Sequence, residues 1–199
     1  MERSQITDKK NEVLEELRDD IIIKQKKGLP FICASVLIWL LIAIVTSLNV
    51  PIGTKNILVF CCSCPLMPIA WVVGKIIKVD IFSKENPLGN LGFLFTCNQL
   101  IYLLIVMWVF SAVPEKMVMV YAMVFGAHLL PYSWLYKSNA YKVFSILLPI
   151  IALILGNVTT STLLAIVFFV LEIIFSTILF FELKKRIANT DAGEGRTYS

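Results

Sequence analysis

Tyr121, Phe125, His128 and Tyr132 stand at i, i+4, i+7 and i+11, so a helix through them would gather two phenols and an imidazole on one stripe. His128 is the single histidine of the 199 residues. An imidazole in such a place can bind a ligand, carry a proton, or hold a neighbouring helix by a hydrogen bond. Pro131 withdraws a backbone donor just past it and invites a kink, and Gly126 lets a neighbouring backbone come close. The other groups able to do chemistry inside apolar sequence are Glu172 and the adjacent carboxamides Asn98 and Gln99, with Tyr102 one turn from Asn98. Each of these needs a partner, because an unsatisfied amide in hydrocarbon costs several kcal/mol and an isolated carboxylate more.

Cysteine chemistry is not favoured by the spacing. Cys61, Cys62 and Cys64 lie close together, but a helix turns Cys62 away from the face shared by Cys61 and Cys64, and no second clustered pair follows. With Cys33 and Cys97 they read as small hydrophobes, so neither a metal nor a disulfide framework is expected, and no cofactor is implied. Within the apolar runs no His-x-x-x-His, Gly-x-Ser-x-Gly or acidic-pair motif is present, which leaves one His and one Glu as a thin catalytic set and argues against an enzyme.

The elements that must position these groups follow from composition. The chain is 58% hydrophobic, holds 13 Phe, and has a mean hydropathy of +0.80 over 22.5 kDa, which excludes an ordinary soluble domain. The fold class is all-α, a polytopic membrane protein embedded in a lipid bilayer. The net charge of +4 is confined to short blocks between apolar runs, so it reports topology and not a nucleic-acid footprint.

Six spans are expected, at about 29–48, 56–74, 91–113, 117–136, 143–155 and 162–183. Residues 1–27 carry seven acidic and seven basic side chains, and Val13, Leu14, Leu17 and Ile21 recur at helical spacing. That pattern predicts an amphipathic helix on the cytoplasmic surface, ended by Gly28 and Pro30, and available through residues 8–23 to another copy or a partner subunit. Asn86-Pro87 can cap the third span, Pro149 interrupts the fifth, and 187–199 reads as a disordered cytoplasmic tail. Lys24, Lys26, Lys27, Lys75, Lys78, Lys84, Lys137, Lys142, Lys184, Lys185 and Arg186 fall on one side against Lys55 and Lys116 on the other, which places both termini in the cytoplasm.

Depth can then be counted at ~1.5 Å per residue: Asn98 at ~10 Å, His128 at ~12 Å and Glu172 at ~16 Å from the cytoplasmic ends. With Gln99, Tyr102 and Tyr132 these residues form a candidate mid-membrane site for a small solute, a proton or a lipid, and His128 and Glu172 are expected to couple. The same polar groups can equally be interhelical glue. Pro65 and Pro68 in the second span and Pro149 in the fifth hint at paired broken helices, the pointer to a transporter site. The functional expectation is a small transporter- or channel-like bundle; the alternative is a non-enzymatic membrane module that binds a lipid, peptide or partner subunit.

Asn86-Pro87-Leu88 leading into Gln99-Leu-Ile-Tyr102, and above all Gly126-Ala127-His128-Leu-Leu-Pro131-Tyr132-Ser-Trp134-Leu-Tyr136, resemble an uncharacterised family of small polytopic bacterial membrane proteins found notably in Gram-positive bacteria. The resemblance implies a six-span fold in the bacterial cytoplasmic (inner) membrane and supplies no activity.

Overall fold

The computed structural model describes residues 2–83 and 85–197, with side chains described within 4–188. Lys84 of the basic loop and residues 198–199 lie outside them. Every regular element among the described residues is a helix, and six stretches are long and apolar enough to cross a membrane: Lys26–Ser47, Ile52–Ile76, Leu88–Ala112, Pro114–Leu135, Asn139–Val158 and Ser161–Ala188.

The first helix, α1 (Glu2–Lys24), is polar and mostly exposed until its last turn, where Ile21 and Ile22 enter the core. Val13 of the expected apolar stripe remains 48% exposed, and Leu14 and Leu17 are half-buried. Lys26, Lys27 and Gly28 all adopt positive φ, and this left-handed turn swings the chain into α2 (Leu29–Ser47), with Pro30 in its first turn. Gly28 is required here twice over: its φ is +69°, and a Cβ would lie 3.1 Å from the Tyr141 hydroxyl.

The second span is broken into α3 (Ile52–Ser63) and α4 (Leu66–Ile76) at Cys64-Pro65, where prolines remove ladder donors. Asn86 Oδ1 accepts from Leu88 N at 2.9 Å and starts α5 (Leu88–Ala112), a helix with most of its surface facing outward. The fourth span is also discontinuous, α6 (Met117–Ala127) and α7 (Leu130–Leu135), with the break at His128-Leu129 and Pro131 in the first turn of α7.

Three sequence expectations are corrected here. The fifth span is not a short, interrupted 143–155 segment: α8 (Asn139–Val158) runs unbroken through Pro149. Pro149 instead marks a close helix approach, since a Cβ on Gly126 would meet its Cδ at 2.6 Å. The discontinuities therefore fall in the second and fourth spans, which do not correspond in two inverted halves, and the paired-break argument loses its footing. The last helix, α9 (Ser161–Thr197), extends through most of the segment read as a disordered tail; once a span has nucleated a helix, each further residue adds one bond at little cost.

Packing centres on α2, which lies chiefly against α9, and on the antiparallel pair α6 and α8. That pair closes on glycine at both ends, Gly126 under Leu148 and Pro149, and Gly156 under Met119. Small residues matter more than hydrophobicity in such contacts, because lipid tails are as apolar as leucine and only close approach adds attraction. Trp39 fills the centre, with ring centroids 4.6 Å from Phe168, 5.5 Å from Phe125 and 5.8 Å from Tyr121.

Candidate functional site: a tyrosine-lined cavity at the His128 break

The break in the fourth span positions the histidine. Pro131 cannot donate to Ala127 O, and Leu129 N turns to Gly126 O in a tighter bond of 3.1 Å. His128 therefore caps α6 with its ring folded back, and its Nδ1 is bonded to the carbonyl oxygen of Phe125. A carbonyl only accepts, so Nδ1 carries the proton, and in the neutral ring Nε2 is left as a bare acceptor.

That ring borders a cavity of about 140 Å³. Gln25, Gly28, Phe82 and Gly89 line the end nearest α1, and Trp39, Ser63 and Tyr121 line the other. Beyond Trp39 the interior is filled by Ile42, Met117, Val118 and Leu164, all but fully enclosed. The cavity thus lies toward one end of the bundle and is stopped partway through it.

Its wall is aromatic, and the phenols are already committed. Tyr121 shares a hydrogen bond with the Ser63 hydroxyl at the α3/α4 break. Tyr132 is tied to Gly92 O at 3.1 Å and to the Thr96 hydroxyl at 2.8 Å, which fastens α7 to α5. Tyr136 donates to Gln25 Oε1 at 2.9 Å and Tyr141 to Lys27 O at 2.8 Å, both on the turn between α1 and α2. Tyr132, Tyr136 and Tyr141 pack their rings within 6.0 Å of one another. The cavity accordingly presents ring surfaces, the His128 acceptor, the Gln99 amide and the Ser35 hydroxyl; among the described residues no Asp, Glu, Lys or Arg lines it.

Of the residues singled out from sequence, His128, Tyr132 and Gln99 meet at this cavity, whereas Asn98 and Tyr102 do not line it and Tyr102 is 37% exposed. Glu172 is fully enclosed one residue behind the wall, where its Oε2 is bonded to Ser35 of α2 and its Oε1 has no partner. His128 and Glu172, expected to couple directly or through a bound ion or water, make no direct hydrogen bond: Glu172 is bonded to Ser35 and His128 to Phe125 O, a choice of partner that depth counting does not register.

Sequence reasoning also missed an ion pair at the α1 end. Lys27, 5% exposed, donates to Glu182 Oε2 at 2.6 Å, and the same carboxylate accepts from Ser138 Oγ at 2.7 Å and from Ala140 N at 3.1 Å. One carboxylate of α9 therefore joins the start of α2 and the start of α8 to it. Its signal was a carboxylate and a lysine of opposite sign at the same end of two spans, hidden among the solvent-facing charges around them.

Outside the cavity, charged contacts bind α1 to the rest of the bundle. Lys137 pairs with Glu15 and with Asp19 at 2.6 Å each, Arg186 also reaches Asp19, and Arg18 sits 4.6 Å over the Trp134 ring. Hydrogen bonds from Lys137 and then Arg18 hold the Glu15 carboxyl below its ordinary range, while bonds to Glu85 and then Asp20 hold the Lys24 ammonium above its own. Asn86 Nδ2 donates to Leu17 O at 2.7 Å and to Asp20 at 2.8 Å, so the loop before α5 is bound to α1 as well. Among the described residues no group of His, Cys, Asp and Glu is arranged to hold a metal, and Cys61 and Cys64 face outward while Cys62 faces in.

A family model described as a family of unknown function (DUF7010) matches residues 14–182. No curated protein and no solved structure matches the chain.

Proposed function

The chain belongs to that family of unknown function, and from the geometry we propose that it is a small solute carrier of the bacterial cytoplasmic membrane, with both termini in the cytoplasm and the His128 cavity as its binding site. The observation that carries this reading is the position of the cavity, which reaches from the α1 end to Trp39 and is stopped there by packed side chains. A pore needs a path through; a carrier needs a site reached from one side at a time. The breaks beside it, at Cys64-Pro65 and His128-Leu129, are the places where spans can bend with least loss of hydrogen bonds. The excess of lysine and arginine at the α1 end supports the orientation.

Side-specific labelling tests it. In a chain whose five native cysteines are replaced, Thr96→Cys in sealed vesicles should react with a water-soluble thiol reagent from the α1 side and be protected from the other. Labelling from both sides would make the cavity a channel, and labelling from neither would make it a dry packing defect. Proteoliposomes with the unmodified chain should also release a small trapped solute faster than those with Ser35→Trp, which fills the cavity. Equal release would remove the carrier.

A second reading, docking of a partner subunit or another copy of the chain, is favoured by one observation: the first half of α1 projects with Ile6 at 50% and Val13 at 48% exposure. Deleting residues 2–13 should abolish any association and leave the bundle folded. Loss of the bundle instead would make that half of α1 part of the core.

A further inference from the structure

The cavity wall and the carboxyl behind it together indicate what kind of solute enters. Ser35 has one hydroxyl proton and faces two acceptors, Ile32 O at 2.7 Å and Glu172 Oε2. When that proton lies on Ile32 O, the proton between Ser35 and Glu172 belongs to the carboxyl, and Glu172 is neutral. When Glu172 is ionised, Ser35 turns its own proton onto the carboxylate and Ile32 O keeps only its helix bond. The hydroxyl is a two-position relay, and it stands on the cavity wall.

Among the described residues no charge balances the ionised state. The titratable groups facing Glu172 are the Cys33 thiol of α2 and the Tyr141 phenol of α8, both neutral at ordinary pH. Among the described residues no Lys, Arg or His pairs with Glu172, and Lys27, the enclosed lysine, is taken by Glu182. Its Oε1 is enclosed without a donor. An ionised Glu172 therefore needs a cation from outside the chain.

The wall selects which cation. Trp39, Tyr121, Phe125, Tyr132 and Tyr136 border the cavity, and the phenol oxygens are engaged with protein partners. A small metal ion would find too few free oxygens to replace its water shell. An alkylammonium is held by ring faces, needs no oxygen cage, and fits a space of about 140 Å³. We propose that the cavity binds a small organic cation of the alkylammonium class and that Glu172 gives up its proton as the cation enters. The proton passes by way of Ser35 to cavity water, so one positive charge enters for each that leaves. This rests on the carrier reading of the cavity and gives it a coupling ion.

Choline and its uncharged isostere, in which a tert-butyl group replaces the trimethylammonium, are the probes. Binding of each to the full chain in lipid nanodiscs is followed by calorimetry, and proton release by a pH indicator in weak buffer. Choline should bind at least about tenfold more tightly than the isostere, release close to one proton per site, and gain about tenfold in affinity per pH unit while Glu172 is protonated. Glu172→Gln copies the neutral carboxyl and should fold; it should bind both probes alike and release no proton. The wild-type proton count needs no variant. Equal binding of the two probes, or choline binding without proton release, overturns the inference and leaves the one-sided cavity standing. Binding of neither probe also overturns it, and if Thr96→Cys is then unlabelled from both sides, the carrier reading falls with it.

Discussion

Replacing Glu182 by glutamine should be among the most damaging single changes at the α1 end of the bundle, and the size of the effect follows from what it leaves behind. Lys27 Nζ lies 2.6 Å from the carboxylate, with side-chain exposures of 6% for lysine and 26% for glutamate. Removing the negative partner leaves an enclosed ammonium uncompensated, and breaking such a pair costs about 3–5 kcal/mol. Lys27→Met is milder, because Glu182 is a quarter exposed and keeps the Ser138 hydroxyl at 2.7 Å and the Ala140 amide at 3.1 Å; about 1–2 kcal/mol is expected. The double variant removes both charges and should recover at least ~2 kcal/mol of the Glu182→Gln loss. Reversible unfolding in mixed micelles, scored by Trp fluorescence, gives the full cycle. A Glu182→Gln cost below ~1 kcal/mol, or a double variant equal to the sum of the singles, would show that the pair does not hold α2, α8 and α9 together.

Other consequences are open to simpler measurements. Gly156→Leu places a side chain where even a Cβ would collide with Met119, so α6 and α8 must separate, and a loss of about 1–3 kcal/mol is expected in the same unfolding assay; wild-type stability would contradict the close packing. Asn86→Ala removes the Leu88 cap and both bonds to α1, and should lower stability by about 1–2 kcal/mol while raising proteolysis of the 77–87 loop; an unchanged cleavage rate would count against it. The docking of α1 should weaken in acid: a carboxyl held below its ordinary value adds stability that is complete above about pH 4.5 and is lost as pH falls through the lowered value. Spin labels at positions 12 and 139 should therefore separate on acidification below about pH 4.5 and not between pH 5 and 8. Separation near neutrality would implicate another group.

Much of the fold was legible from spacing alone. Long apolar runs separated by short polar or proline-bearing breaks place six candidate spans within a few residues of their observed ends, and Gly28-Leu-Pro30 marks the turn into the first of them. Proline was less readable. Pro131 ends a helix at His128 because the missing donor falls where the chain can tighten, whereas Pro149 sits inside an unbroken helix because its ring lies against Gly126 of a neighbour. One residue type gave two outcomes, decided by what packs beside it.

The chain by itself determined which groups are costly to enclose, His128, Glu172 and the carboxamides, and that an all-α bundle must find them partners, because hydrocarbon offers none. Which partner each found was decided only by tertiary structure. Depth along a span is additive in sequence, so it can be counted; the rotation of one helix against another is set by packing, so it cannot. Ser35 is an ordinary serine in an apolar run until α2 lies along α9 and brings it to Glu172, and the four tyrosines become a cavity wall only because Ser63, Gly92, Gln25 and Lys27, on other elements, hold their hydroxyls in place.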